Sequence, residues 1–363
     1  MQVDKNNRLI IPNKTTLISN DNSFNIISRL GKGAFSNVYL VTNKDDDKYY
    51  ALKVSKCDKH FFKQSQKEES IFKKLNNESK YIIHYYESFE LEASSKYINS
   101  NSFVFVLEKF GINLYEKMKK RKNQGLHVKI IYNLCECLFE GLEFMHKKGI
   151  IHGDLKPENL VINNENKIKI IDLGSSFYFD EINTNFYIQS RYYRAPNCIL
   201  EKDITYKIDY WSVGCIIYET ILCNPLFAFN NAINTLIKHI SFIDIPKNKI
   251  NLESKNIKNI YNFKKNEWYH TMKQCLLNYI NVNINRTNFN NNINNEIIYN
   301  EEEMEWIKNM DNGIYMIMDT CINHHYDDEI SYKDAFDNLK FPPITTGKTI
   351  DKSSHGLIGT SCL

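Results

Sequence analysis

Nine cysteines are scattered through the 363 residues without one C-x-x-C pair. An odd, unpatterned set of thiols argues against a disulfide framework and for a reducing, intracellular setting, cytoplasm or nucleus. Charge of one sign is also scarce: 46 Lys and Arg against 43 Asp and Glu leave +3, too weak a field to recruit nucleic acid or an anionic membrane from a distance. Long hydrophobic runs are missing as well. The opening MQVDKNNRLIIPNKTT has no apolar signal core, and Cys362 sits too near the end for a prenylation box, so neither export nor a lipid anchor is expected. The most apolar stretch, 211–229, is broken by Glu219, Asn224 and Pro225, residues costly in hydrocarbon and ordinary in a buried helix.

What is present suffices for a large core: 42% of residues are hydrophobic and 13% aromatic, which excludes a wholly disordered chain. The length fits two lobes or one domain with extensions. Between 24 and 54 the runs FNIISRL, SNVYLV and KYYALKV alternate with period two and are separated by Gly-rich and Asn/Asp-rich turns, the pattern of an antiparallel meander. From 127 the period lengthens to that of helices, as in Ile130, Ile131, Leu134, Leu138, Leu142 and Met145, with further helices expected at 209–223 and near 311–322. Residues 246–308, rich in Asn, Lys and Ile, read as an insertion, and the segment after Phe341 as a mobile end. Their Asn runs, and the N-x-S/T triplets at Asn13, Asn77 and Asn285, fit a compositional bias and carry little functional weight.

The chemistry concentrates at four places. Leu30-Gly31-Lys32-Gly33-Ala34-Phe35-Ser36-Asn37-Val38 lies between two expected strands, where Gly31 and Gly33 would let backbone approach phosphates. A plain hairpin turn is the alternative; Ser36 at the third glycine position and a following strand disfavour a dinucleotide fold. In Ala51-Leu52-Lys53-Val54, period two puts Ala51 and Lys53 on one face. An inward ammonium needs an anion, and the helical stretch 66–77 offers Glu68 in register with Ile71, Phe72 and Leu75, whereas Glu69 faces elsewhere. Finally, His152-Gly153-Asp154-Leu155-Lys156-Pro157-Glu158-Asn159 is followed by Asp172-Leu173-Gly174. Asp172 and Asn159 are hard oxygen donors of the kind magnesium prefers, Asp154 can accept a hydroxyl proton, and Lys156 can neutralise a phosphoryl group in transfer.

Taken in order, Gly31-x-Gly33, Ala51-x-Lys53, His152-x-Asp154 with Asn159, and Asp172-x-Gly174 resemble the eukaryotic protein kinases over about residues 24 to 341. Asp209-Tyr210-Trp211-Ser212-Val213-Gly214 is similar to the family's buried helix whose aspartate steadies the catalytic loop. Asn113-Leu114-Tyr115, the stretch 187–196 and the insertion after 246 look like the CMGC group, closest to its DYRK, CLK and HIPK-like branch. The resemblance implies an α+β, bilobal fold: an N-terminal extension (1–23), an antiparallel β-rich N lobe (24–108), a mostly helical C lobe (109–341) and a tail (342–363). It implies ATP with Mg2+ in the cleft near Leu107 and Glu108, adenine between Leu30, Val38 and Ala51 above and Val161 below. The loop Gly31, Lys32, Gly33, Ala34, Phe35 and Ser36 would cover the phosphates, with Lys53 held by Glu68, metal on Asn159 and Asp172, and Asp154 and Lys156 catalytic.

The Asp154-Leu155-Lys156 form resembles kinases acting on Ser/Thr of protein substrates, working as monomers; a pseudokinase scaffold or a kinase of small molecules are the alternatives. Tyr187 occupies the position that tyrosine-regulated members autophosphorylate, and Arg191 and Arg194 are candidate partners for its phosphate. Three departures stand out. Gly153 replaces the usual arginine before the catalytic aspartate, which fits simple drift or a kinase less dependent on a phosphorylated loop. Asn197 replaces the glutamate of Ala-Pro-Glu, and its usual arginine partner falls at Glu329, so both halves of an ion pair are missing together. Leu173 replaces a phenylalanine, a tolerated apolar change. Gly347-Lys348-Thr349 lacks the upstream glycine of a P-loop, His324-His325 has no neighbouring ligand set, and the basic cluster 117–122 reads as a solvated helix end.

Overall fold

The computed structural model describes residues 2–19, 22–92, 101–121, 125–181, 188–200, 204–229, and, beyond these, 235, 239, 317–318, 320–322, 325 and 331–337. The Asn-rich stretch 246–308, the tail after 341, Tyr187 and Glu329 lie outside the described residues.

The first strands form a short hairpin, β1 (Gln2–Val3) with β2 (Leu9–Ile10). A six-stranded, wholly antiparallel sheet follows, ordered β3 (Thr16–Ile18), β4 (Ser23–Lys32), β5 (Ser36–Asn43), β6 (Tyr49–Ser55), β8 (Ser102–Glu108), β7 (Tyr85–Leu91). β5 alternates strictly between half-buried and buried positions, the signature of a strand with two unlike faces. The two faces have separate cores. On one, Tyr50, Leu52 and Val54 of β6 pack with Leu9, Ile11 and Leu17 from the segment before residue 24. On the other, Ala51 packs with Phe105 and Leu107 of β8 and with Ile71, Phe72 and Leu75 of helix α1 (Lys59–Leu75). Residues ahead of the meander are thus built onto the sheet, with Thr16–Ile18 as an added edge strand.

Helix α1 starts earlier than the amphipathic stripe alone implies, because Asp58 caps it by accepting a hydrogen bond from the His60 amide. It ends at Asn76 in the left-handed conformation (φ 52°).

The remaining described chain is mainly helical: α2 (Leu114–Lys120), α3 (Val128–Lys147), α4 (Pro196–Leu200), α5 (Lys207–Leu222) and α6 (Tyr332–Asp337). Short strands β9 (Ile112–Asn113), β11 (Leu160–Ile162) and β12 (Ile168–Ile170) form one small sheet, and β10 (Ile150–Ile151) pairs with β13 (Phe177–Tyr178). Nearly every side chain from Ile208 to Ile221 is buried. A helix apolar all round belongs in the middle of a core, and α5 sits there, packed on α3 with Trp211, Val213, Cys215, Ile216 and Ile217 inaccessible to solvent. Among the described residues no helix is long and apolar enough to cross a membrane.

Candidate active site

Sheet register assembles the first part of the site. Gly31 pairs with Val38, Val38 with Lys53, and Lys53 with Phe105, one row across four strands; Leu40, Ala51 and Leu107 form the next row on the same side. The turn between β4 and β5 is closed by the Gly33 amide donating to Ser36 O at 2.8 Å. Leu30 and Phe35 are exposed there. Phe35 reaches to Phe61 at the start of α1, ring centroids 5.3 Å apart, and the Lys56 ammonium lies over both rings, so turn and helix are linked.

Lys53 Nζ donates to both oxygens of Glu68, at 2.6 and 2.8 Å, and to Asp172 Oδ1 at 2.7 Å. Burial alone would lower the lysine's pKa, but the two carboxylates outweigh it and hold the ammonium charged well above its usual range. Glu68, only 4% exposed at its side chain, is pushed upward by burial against the pull of Lys53. Asp172 feels the same desolvation but is held down to about 2, chiefly by the Lys53 charge and its hydrogen bond. Its side chain is 42% exposed, so one end of this ion triad opens to solvent where a ligand could enter. Glu69 turns away, hydrogen-bonded to Lys73 and Ser88.

Asp172 itself is in the left-handed region (φ 63°, ψ 76°), which swings its carboxylate off the line of β12 toward Lys53. Beneath it Leu173 is fully buried against Phe72, Phe105 and Met145, and Gln64 Nε2 of α1 donates to Gly174 O. Helix, lysine strand and Asp172 turn therefore share side-chain contacts rather than merely facing each other.

The second part is a loop between β10 and β11. Asp154 Oδ1 accepts from the Ser190 amide at 2.9 Å, and Oδ2 accepts from Lys156 Nζ. Lys156 also donates to Ser190 Oγ at 3.1 Å. Asn159 Nδ2 donates to Asp154 O at 2.8 Å, which leaves Asn159 Oδ1 as the atom it can offer a cation. The loop hangs from Asp209 of α5, wholly inaccessible: Oδ2 accepts from the His152 amide and His146 Nε2, both at 2.9 Å, and Oδ1 from the Gly153 amide at 3.0 Å. Burial opposes its ionisation, but these donors hold its pKa below the usual value. His152 accepts from the Asp154 amide at Nδ1, so Nε2 carries the proton donated to Ile171 O, stitching this loop to the Asp172 turn.

Gly153 has φ +73°, and a Cβ built there would lie 2.9 Å from both Phe177 Cε1 and the Ser175 carbonyl. The missing arginine thus coincides with a backbone state and a packing contact that favour glycine. Asn197 Oδ1 accepts from His325 Nε2 at 2.7 Å. An uncharged pair therefore stands at the position where a glutamate was missing, and His325, discarded in the sequence as a stray histidine, supplies it.

Sequence reasoning named no role for Gln189, yet it organises the segment next to Asp154. Its amide donates to Gly153 O, its Nε2 to Ile208 O and Ser212 Oγ, and its Oε1 accepts from the Ala195 amide. Arg194 is buried and donates through Nε and Nη2 to Gln189 O, which turns that side chain inward. Of the remaining expected residues, Val161 lies on β11 against the core containing Leu107 and Ala51, and Glu108 forms an ion pair with Lys169 at 2.6 Å.

The donors left over fit a hard divalent cation: an accessible carboxylate on Asp172 and an amide oxygen on Asn159. Among the described residues no three His, Cys, Asp or Glu side chains gather as a ready-made metal cage. Oxygens from phosphate and water would have to complete the shell, the habit of magnesium.

Residues 24–338 match the family described as the protein kinase domain. Dual specificity tyrosine-phosphorylation-regulated kinase 3 of Mus musculus is 34% identical over 248 residues, 66% of this chain and 41% of that protein. Homeodomain-interacting protein kinase 1 of Caenorhabditis elegans is 32% identical over 222 residues, 60% of this chain and 26% of that protein. The match thus spans about two fifths of the length of the first of these relatives and less of the second. A kinase domain known from its crystal structure has the same fold, with a TM-score of 0.65 at 21% identity, covering 93% of this chain and 99% of the other.

Proposed function

The chain belongs to the protein kinase family, on its DYRK and HIPK branch, and from that premise we propose that it transfers the γ-phosphoryl group of ATP to serine and threonine hydroxyls of proteins. The observation that carries the proposal is the ion triad of Lys53, Glu68 and Asp172 lying across the loop that presents Asp154 and Asn159.

In this reading Lys53, kept charged by its two carboxylates, binds the α- and β-phosphates, and Glu68 fixes where its ammonium points. Ala51, Leu107, Val38, Leu30 and Val161 supply the apolar walls for adenine, beside the Glu108 backbone. Asn159 and Asp172 would hold magnesium, which when bound supplies charge neutralisation on the phosphates. Asp154, its Oδ1 oriented by the Ser190 amide, accepts the hydrogen bond of the incoming hydroxyl and then its proton; Lys156 balances charge on the transferred group. Positioning and electrostatics must supply most of the barrier reduction, on the order of 8 kcal/mol or more for an enzyme.

Protein substrates, a monomeric state and an intracellular setting belong to the same proposal; the setting is supported by the absence of disulfides among the seven described cysteines. Tyr187 is proposed as a site of autophosphorylation on its place before Ile188-Gln189-Ser190 and on the printed name of the relatives, tyrosine-phosphorylation-regulated kinases. Phosphate absent from Tyr187 in mass spectra of protein made in bacteria would remove that part.

The test is phosphoryl transfer from Mg-ATP to a mixed Ser/Thr peptide library, comparing the wild-type chain with Asp154→Asn. Loss of a general base predicts a fall of roughly a hundredfold or more. Equal signal from both proteins would refute the assignment, and nucleotide binding without transfer would make the chain a pseudokinase scaffold.

A further inference from the structure

The hairpin of β1 and β2 lies ahead of the residues matched to the kinase family, and one of its side chains ends on the glycine-rich turn. Arg8 is 6% exposed, and its Nη1 donates to Gly33 O at 2.7 Å. The guanidinium is held from behind: Nε donates to Asp4 Oδ2 at 3.0 Å, while Asp4 Oδ1 accepts from the amides of Asn6 and Arg8. Asp4 is held down to about 2, its backbone and arginine donors outweighing desolvation. The hairpin is itself anchored, through the Cys57 amide on Asn7 O and through Asn37 Nδ2 and Tyr39 OH on Leu9 O.

We propose that Arg8 is a positioning residue for the phosphate-binding turn, fixing the Gly33–Ala34 peptide so that the Ala34 amide faces the triphosphate. Gly33 N–H is spent on Ser36 O, so its carbonyl is the remaining backbone handle on that residue. A trans peptide is planar and directs its C=O and N–H to opposite sides. Arg8 belongs to the segment packed on the sheet face opposite Lys53. Drawing the Gly33 carbonyl toward Arg8 therefore turns the Ala34 N–H toward the lysine side, where phosphates would lie. A turn with an exposed Phe35 and two glycines within three positions would otherwise sample many peptide orientations. A charge-assisted hydrogen bond from a pre-braced arginine selects one before the ligand arrives.

This inference rests on the nucleotide site proposed above, and the experiment separates the two. Affinities of wild type, Arg8→Ala and Arg8→Lys for Mg-ATP and for adenosine are measured by calorimetry, with melting temperatures alongside. Arg8→Ala is expected to bind Mg-ATP about tenfold more weakly, the loss of one charged hydrogen bond, while adenosine affinity is unchanged. Arg8→Lys, which keeps the charge and one donor, recovers part of the loss. Equal weakening toward both ligands means a general structural role and overturns the proposal, as does unaltered ATP affinity. Wild type that binds neither ligand would instead bring down the nucleotide site itself. Amide exchange in the unliganded protein gives an independent reading on a less disruptive variant, Asp4→Asn: faster exchange at Ala34 and Phe35 is expected, and unaltered rates overturn the proposal.

Discussion

Asp209→Ala offers the sharpest test of how the catalytic loop is held. The wild-type carboxylate is inaccessible and takes three donors, the His152 and Gly153 amides and His146 Nε2, at 2.9 to 3.0 Å. Truncation strands two buried backbone N–H groups. His146, partly reachable by water at 10% side-chain exposure, is the least costly of the three to leave behind. A buried donor left without an acceptor costs about 1–3 kcal/mol, so the two amides together set a loss of about 2–6 kcal/mol, toward the lower end where the loop relaxes. That is a large share of the roughly 5–15 kcal/mol that stabilises a typical domain.

The same two amides belong to the two residues directly before Asp154, so the variant should also lose activity beyond its loss of folded protein. A displacement on the order of 1 Å at a reacting group costs about a hundredfold in rate. Urea unfolding gives the stability change, and turnover normalised to folded protein gives the catalytic one. Asp209→Asn keeps one acceptor and turns an amide NH2 toward a donor, so it should fall between wild type and alanine in both. A stability change under about 1 kcal/mol for Asp209→Ala, or normalised turnover equal to wild type, would refute the reasoning that the loop hangs from this side chain.

Glu68→Ala should lower kcat/KM for ATP about a hundredfold, since Lys53 then follows Asp172 alone; an unchanged value would mean that Glu68 does not position the ammonium. Gly153→Ala should destabilise the chain by about 1–3 kcal/mol, because of its positive φ and the Ser175 carbonyl 2.9 Å from the new methyl; a change within about 0.5 kcal/mol would contradict the packing argument. Burial holds His239 and His325 near Trp211 at pKa values of about 3. Both rings are neutral in the fold, so below about pH 6.5 the unfolded chain binds more protons and stability falls with falling pH until about 3, by about 1.4 kcal/mol per pH unit per histidine. Unfolding free energies at pH 7, 6 and 5 test the slope, and replacing both histidines should flatten it.

Legibility in the sequence followed the reach of each physical signal. Period-two alternation over five or more residues marked β4, β5 and β6, because each of these strands has one face in the Leu52 core and one toward Ala51 and Lys53. The stripe of Glu68, Ile71, Phe72 and Leu75 marked α1, all four being buried, but in its first turns the adjacent Phe61 and Phe62 among polar residues carried no such stripe. β1 and β2 are two residues each and β3 three, too short for any period to register. The contact of Arg8 with Gly33 bridges 25 positions through one side chain, and the bond of His325 to Asn197 bridges 128; neither is written in local spacing. Gln189 was visible only as part of a family-like string, since an amide that satisfies backbone groups leaves no pattern in hydrophobicity.

The departures at Gly153 and Asn197 make sense together once Gln189 is considered. A segment beside a catalytic aspartate can be ordered by charge, through an arginine that gathers phosphate or a glutamate paired with arginine, and such contacts respond to modification, salt and pH. Here the corresponding stretch is fastened largely through amide groups, with one buried guanidinium, that of Arg194, donating to Gln189 O. The Gln189 amide reaches Gly153 O, its side chain bridges Ile208 O, Ser212 Oγ and the Ala195 amide, and Asn197 takes its hydrogen bond from a neutral histidine. Each buried hydrogen bond contributes about 1 kcal/mol, and together they position Ser190, whose amide orients Asp154 Oδ1. Losing both members of a buried ion pair can be nearly neutral where losing one is costly, and glycine at 153 lets the backbone accept the Gln189 amide in a conformation a side chain would oppose. Within 188–200 the geometry next to Asp154 is therefore held by the Gln189 amide and side chain together with the Arg194 guanidinium.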